Sequence, residues 1–527
     1  MSLQRPGVQV EVSSLSVVPP LTPAPSTFFL VGYAPWGPIN KPVYVGDVRK
    51  AQYVFGAPKA PETGMWVPRI LDHFLTTSMG TGRAWVVRGF EFASGKTEDD
   101  YRAFVVLNDG QSTPTDVIKV KGAWAGELGL DFKVDVIDDT AGRRQIYLWG
   151  RYGKEVFTWG STQAEVEAAI TEWNKKADAF ASDFRLELVN YVAAGPAVTD
   201  ANAHVLFKPT AAAISLARDA SISNLNGDSA NFPLSKLYGQ DSSGAAQGLD
   251  TLADRVYGAG IVAIPGYAPD ATLVNTLDLH ATQFGRLAIV SLLPSGSTPI
   301  TPAQAKSLKD GLPASSYVAY YYPRAKDDDG VMAPLEGFVA GLAAANMAQI
   351  NAEGGIKASV TGVLPIAGVD QLNGRDMIGD AEAELLYLDE INYVRFVRGQ
   401  GYRLEAQLLS KAEGAISRVH HRNIANFFRY GLEDLLQNFR DRTIDGAGKL
   451  QSDIKQSIEM FLDPFGPGKF PPQGNTLWNA ATVVTDKTIQ NEADLNQGLL
   501  HVYVEAAFSP KAERIQLLFN VVPVRLS

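Results

Sequence analysis

From Ala259 onward the chain alternates short apolar runs with helical stretches: "AGIVAIPGY", a helical segment, "RLAIVSLLP", a second helical segment, then "YVAYYYP". Short, continuously apolar runs are strands buried on both faces. Strands separated by helices pair in parallel, at least in part, beneath helical layers. The expectation is a three-layer α/β core. Phe28 to Gly32 (FFLVG) and Trp85 to Arg88 (WVVR) read as further buried strands, with a helix-like "WVPRILDHFLTT" between them.

Between these two stretches the composition shifts. From about Phe104 to Trp159 the chain alternates polar and apolar residues, as in "VIKVKG", "LDFKVDVID" and "RQIYLWGR", which marks strands with one buried face. A helix follows, opened by the capping box Thr162/Glu165, with Val166, Ala169, Ile170 and Trp173 on one face. A strand-like "FRLELVNYV" completes a separate β-rich segment. Further on, Pro334 is expected to begin a helix rich in small residues. A long amphipathic helix is predicted from about Ile416 to Arg442, with Val419, Ile424, Phe427, Phe428, Leu432, Leu435, Leu436 and Phe439 in one stripe. On its other side Arg418, Arg422 and Arg429 form a basic strip. A second helix runs from Gln451 to the stop at Pro464.

Both ends of the chain carry strand-like sequence. Val8, Val10 and Val12 alternate with Gln9, Glu11 and Ser13, and Ile515, Leu517, Phe519 and Val521 alternate near the other end. The first of these is followed by Pro19, Pro20, Pro23 and Pro25, which favour extended chain without backbone donors. A strand held out on such a tether is suited to pairing with an open sheet edge in another chain. Donation of that kind is head-to-tail, and it propagates as a ring or helix.

At 527 residues the chain is long enough for two to four domains. The formal charge of −10 argues against a general nucleic-acid binder, which needs a basic footprint. Cysteine is absent, which removes disulfides, thiol catalysis and thiolate metal sites. No apolar run reaches the ~18 residues of a membrane span, and no signal-peptide pattern is expected at the N-terminus.

Motifs for chemistry fail on inspection. "DPFGPGKF" has Gly468 and Lys469 of a phosphate loop, but Asp463 stands where the first glycine is required and Phe470 where Ser or Thr would meet magnesium. "AKDDDGVMAPLE" places Asp327, Asp329, Gly330 and Glu336 at calcium-loop spacing, but Ala325 stands at the first ligand and Pro334 interrupts it, so an acidic surface turn is expected. Adjacent His420 and His421 point about 100° apart on a helix and read as helix surface or partial core. Asp99/Asp100 and Asp138/Asp139 lie in turn-like stretches. No catalytic, cofactor-binding or metal-binding residues are expected, and the chain is not read as an enzyme.

The order of segments resembles the tail sheath proteins of contractile bacteriophage tails and related contractile injection systems. The correspondence is carried by "RPGVQVEV", "FFLVGYAPWGPINKPVYVGD", "ILDHFLTTSMGTGRAWVVRG", "LYGQDSSGAAQGLDTLADRVYGAGIVAIPGY", "RLAIVSLLP", "INYVRFVRGQGYRLEAQLLS" and "VHHRNIANFFRYGLEDLLQNFRDR" with "IKQSIEMFL". Within the middle segment, "VKGAWAGELGLDFKVDVID" resembles a strand pair of sheath outer domains, with Glu127 to Gly129 departing from the usual Trp-Gly-Asn.

The resemblance implies a mixed α/β, α+β multidomain fold: a core built from both chain ends, an inserted β-rich outer domain, and terminal arms that donate strands between subunits. The boundaries are an arm over 1–26, core over 27–93, insertion over 94–235, core again over 236–510 with its C-terminal helices facing a tube, and a C-terminal arm over 511–527. Donated-strand contacts fall on Val8, Val10, Val12, Ile515, Leu517, Phe519 and Val521, and the candidate tube contact on Arg418, Arg422 and Arg429. The implied partners are other copies in stacked hexameric rings, a tail tube protein, and baseplate and tail terminator proteins, with no nucleic acid and no membrane insertion. The implied place is the virion tail or an injection-system particle assembled in the host cytoplasm. A non-contractile virion or surface lattice protein and an unrecognised α/β hydrolase are the alternatives.

Overall fold

The structure, a computed structural model, describes residues 27–58, 64–109, 113–138, 144–151, 153–159, 162–191, 212–226, 232–296, 298–348, 361–370, 377–444, 448–466 and 478–508. They divide into two compact units, one within 26–346 and 359–422, the other taking in the chain from Asn423.

The first unit is organised by a sheet of nine strands among the described residues. Its order is Gly362–Val363, Gly401–Glu405, Ile391–Val397, Val318–Tyr322, Arg286–Ser291, Gly260–Ala263, Thr27–Gly32, Arg83–Arg88, Val43–Val45. The run from Ile391–Val397 to Arg83–Arg88 is parallel throughout, and both edges are closed by antiparallel strands. Side chains alternate between two apolar layers. Phe28 and Leu30 pack with the helices Val48–Phe55, Val67–Thr77 and Glu336–Ala348, whereas Phe29 and Val31 pack with Ala271–Phe284, Pro302–Asp310 and Asp380–Leu388. The three-layer core expected from the alternation of runs is therefore observed.

The calcium-like stretch is a hairpin turn between Ala325–Lys326 and Met332–Ala333, not a calcium loop. It also departs from the expected acidic surface turn, because the Asp327 side chain is buried and pairs with Arg69, with His73 Nε2 at 3.2 Å. Burial alone would raise the Asp327 pKa, but hydrogen bonds from His73, the Val331 N–H and Arg69 outweigh it and bring it to about 2.

Within 94–235 the described residues form two antiparallel sheets. One joins Phe104–Asn108, Asp116–Gly122 and Phe184–Leu188; the other joins Ile214–Ser215, Lys133–Asp138, Arg144–Gly150 and Gly153–Phe157. They share an apolar core with the helix Gln163–Asp178, whose Thr162/Glu165 capping box is formed as expected. Trp36 and Phe90, from outside that range, join this core. Trp36, from the loop after the first core strand, is fully buried in it and meets Phe132 edge-on at 5.4 Å.

Two arginines tie the same junction. Arg88, at the end of its core strand and wholly buried, donates from Nη1 to Gly37 O at 2.7 Å and to Ala125 O at 2.8 Å. Desolvation lowers its pKa to about 9, opposed by Glu98. Arg151 pairs with the buried Asp183 and also donates to the Tyr53 carbonyl at 2.5 Å. The backbone approach there is close: a Cβ on Gly126, whose φ is +140°, would lie 2.0 Å from Pro35 O, so only glycine fits.

In the second unit, Val419–Gln437 and Lys449–Leu462 pack through Phe427, Phe428, Leu435, Ile454, Ile458 and Phe461. Gly431 admits the Phe461 ring, which a Cβ there would meet at 2.3 Å. The long helix is shorter than its apolar stripe suggested. Ile416–Arg418 is a strand paired with Leu408–Glu413, and the residues from Asn438 to Asp441 are in turns. The unit also holds a two-stranded antiparallel sheet, Trp478–Val484 with Tyr503–Phe508.

Candidate assembly interface

The second unit ends, among the described residues, in the two-stranded sheet of Trp478–Val484 and Tyr503–Phe508. Along Tyr503–Phe508 exposure alternates residue by residue, and Val504 and Phe508 pack against the helical core. Its register with Trp478–Val484 leaves each strand with one edge unpaired among the described residues. A two-stranded ribbon is marginal by itself, and an open strand edge carries a row of unpaired N–H and C=O groups. The candidate donors Val8, Val10, Val12, Ile515, Leu517, Phe519 and Val521 lie outside the described residues.

The basic strip is not a strip. Arg422 is buried at 4% exposure; its Nε donates to Ser316 O at 2.9 Å, and its Nη2 to Ser316 Oγ at 2.6 Å and to Glu413 at 2.8 Å. Its guanidinium lies 3.8 Å from the Tyr317 ring centroid. The Ser316 hydroxyl and Arg422 hold the Glu413 carboxyl below its usual range. Arg418 precedes the helix and donates to the Tyr387 hydroxyl at 3.1 Å, while Arg429 pairs with Glu433 one turn on, at 3.2 Å. Arg422 therefore presents no charge to a partner: helical periodicity puts it opposite the phenylalanines, but the hairpin and Ser316 cover that side.

We expect Arg422→Glu to destabilise the fold by about 2–4 kcal/mol, because it strands the buried Ser316 groups and sets a carboxylate against Glu413. Arg429→Glu should cost less, about 1 kcal/mol, since it breaks a half-exposed pair with Glu433 and sets two carboxylates one turn apart. Urea unfolding of the two variants checks the contrast; equal midpoints would refute it.

Buried charge elsewhere serves packing. Arg286 Nη1 meets His280 Nε2 at 2.5 Å and donates to Leu252 O at 3.0 Å, and burial with Arg286 pushes the His280 pKa down to about 3, leaving a neutral ring. His420 is buried and His421 half-buried in the first turn of their helix. Among the described residues no group of three or more His, Asp or Glu side chains is placed to hold a metal ion, and no helix is long and apolar enough to cross a membrane. A cavity of about 630 Å³ beside the helix Lys449–Leu462 is lined by Lys455, Lys487, Asp486, Glu492 and Gln451 among others. Its Asp486 carboxylate is engaged by the Thr488 N–H at 2.9 Å and hydroxyl at 2.5 Å.

The fold of this chain is similar to that of solved sheath tail proteins. The chain aligns with the crystal structure of a sheath tail protein from Listeria innocua over 94% of its length and 97% of that chain, with a TM-score of 0.52 at 11% identity. A sheath tail protein from Desulfitobacterium hafniense aligns over 91% and 93%, with a TM-score of 0.51 at 12% identity. The contracted helical sheath of the anti-feeding prophage aligns over 98% and 99%, with a TM-score of 0.49 at 12% identity. No protein-family model and no curated protein sequence matches the chain.

Proposed function

We propose that the protein is a tail sheath subunit, polymerising as stacked hexameric rings around a tail tube and contracting to drive that tube through a target envelope. The observation that carries this reading is the sheath fold along nearly the whole chain. The open ribbon at 478–484 and 503–508 supports it from physical grounds, as the acceptor for strands donated by residues 8–12 and 515–521 of neighbouring copies. Contraction is then rigid-body rotation of subunits with strand linkages kept, released from a kinetically trapped long state. On this reading the subunit works in a virion tail or injection-system particle, assembled in the host cytoplasm, with tube, baseplate and terminator proteins as its partners. Its task is movement rather than catalysis.

Electron microscopy of the purified, concentrated protein tests this directly. Hollow tubes of stacked rings are the expected result; flat lattices, or monomers at every concentration, would overturn it.

A further inference from the structure

Arg88 ends its core strand with a wholly buried guanidinium, and the chain bonds only one of its three nitrogens. Nη1 donates to two carbonyls, Gly37 O at 2.7 Å and Ala125 O at 2.8 Å. Nε and Nη2 are buried with no hydrogen-bond partner among the described residues. The Trp36 indole N–H, one residue before Gly37 and fully buried, is likewise without a partner. Buried donors are normally satisfied, and a buried charge is normally paired, because each costs free energy when it is not.

Nε–H and Nη2–H lie on one edge of the planar guanidinium and form the fork that grips an anion. Other arginines of this chain use that edge for carboxylates. Arg324 Nε and Nη2 donate to Asp370 at 2.9 and 3.0 Å, and Arg151 Nε and Nη2 donate to Asp183 at 3.0 and 2.5 Å. Arg88 is more deeply buried than either, and no carboxylate pairs with it among the described residues. Glu98, the carboxylate whose field reaches it, is already bonded to Arg102 Nη2 at 2.8 Å. Desolvation lowers the Arg88 pKa only to about 9, so the group is a cation at neutral pH. The Phe90 ring, 5.0 Å from the guanidinium, compensates that charge weakly. An ideal Cβ on Gly126 would lie 3.5 Å from Nη2, so glycine there also keeps a side chain off that nitrogen.

We propose that the Nε/Nη2 edge of Arg88 binds a small monovalent anion of the halide class, at the junction between the core strand Arg83–Arg88 and the β-rich insertion. One negative charge balances one guanidinium. A spherical ion asks for no donors beyond the fork, whereas a carboxylate or phosphate would bring further oxygens into surroundings made by Phe90 and Trp36. With the anion bound, Arg88 holds Gly37 and Ala125 together without an unbalanced buried charge. The site is a property of the single chain, independent of whether copies polymerise.

Scanning calorimetry of the dilute full chain in sodium chloride and in sodium gluconate, at equal ionic strength, tests the site. Chloride should raise the melting temperature by about 3 °C along a saturating curve, and bromide should act in the same way. Arg88→Met keeps the aliphatic stem without the charge, and should melt at one temperature in both salts. Anomalous scattering from crystals grown in bromide should place one ion within hydrogen-bond reach of Nε and Nη2, and this measurement decides if Arg88→Met fails to fold. A melting temperature indifferent to the anion, an equal chloride response in Arg88→Met, or a water without anomalous signal at the fork would each overturn the proposal. Neither measurement reads assembly, so their failure leaves tube formation, tested separately by microscopy, untouched.

Discussion

Deleting residues 1–14 should abolish tube formation while leaving a folded, soluble subunit. The described core contains none of those residues, so unfolding free energy should change by less than about 0.5 kcal/mol, the range of substitutions that touch no packed contact. Assembly should fail because the alternating Val8, Val10 and Val12 are the proposed strand that joins one copy to the ribbon of the next. Sedimentation and electron microscopy of the truncated and full chains, beside their thermal unfolding curves, separate the two effects. Tubes of normal length from the truncated chain, or a collapse of its unfolding transition, would remove the arm from its proposed role.

Excising 94–235 with a short linker should have a second large effect, and the structure says which residues carry it. Domains inserted into a host usually have their own core and can be removed. Here Trp36 and Phe90, which the excised chain keeps, are buried in the core of the insertion, and Arg88 would lose its bond to Ala125 O. Exposing a buried Trp costs about 3–5 kcal/mol on the scale of Trp→Ala truncations. The excised protein should therefore aggregate on expression or unfold at markedly lower temperature, and Trp36→Gln with Phe90→Ser should restore solubility. Circular dichroism melting of the two excised variants decides it: equal behaviour with and without the two substitutions would show that the junction does not depend on the insertion.

Much of the core was legible because its signals are local. Short apolar runs spaced by helical stretches determined the parallel sheet, and Thr162 three residues before Glu165 determined the start of its helix. The order of those runs also carried the likeness to sheath proteins, which the shared fold bears out.

Tertiary structure alone decided what each charged residue faces. Arg422 and Asp327 look solvent-bound when read along the chain, and the buried strand ending at Arg88 does not say what its guanidinium meets. Their partners are 106 residues away at Ser316, 258 away at Arg69, and 51 and 37 away at Gly37 and Ala125. Periodicity reports which side of a helix is apolar, but not what covers the other side, and so a basic stripe and a buried arginine read alike until the hairpin at 408–418 is in place. Local spacing selects the elements; burial of charge depends on long-range neighbours, and a one-dimensional pattern does not contain them.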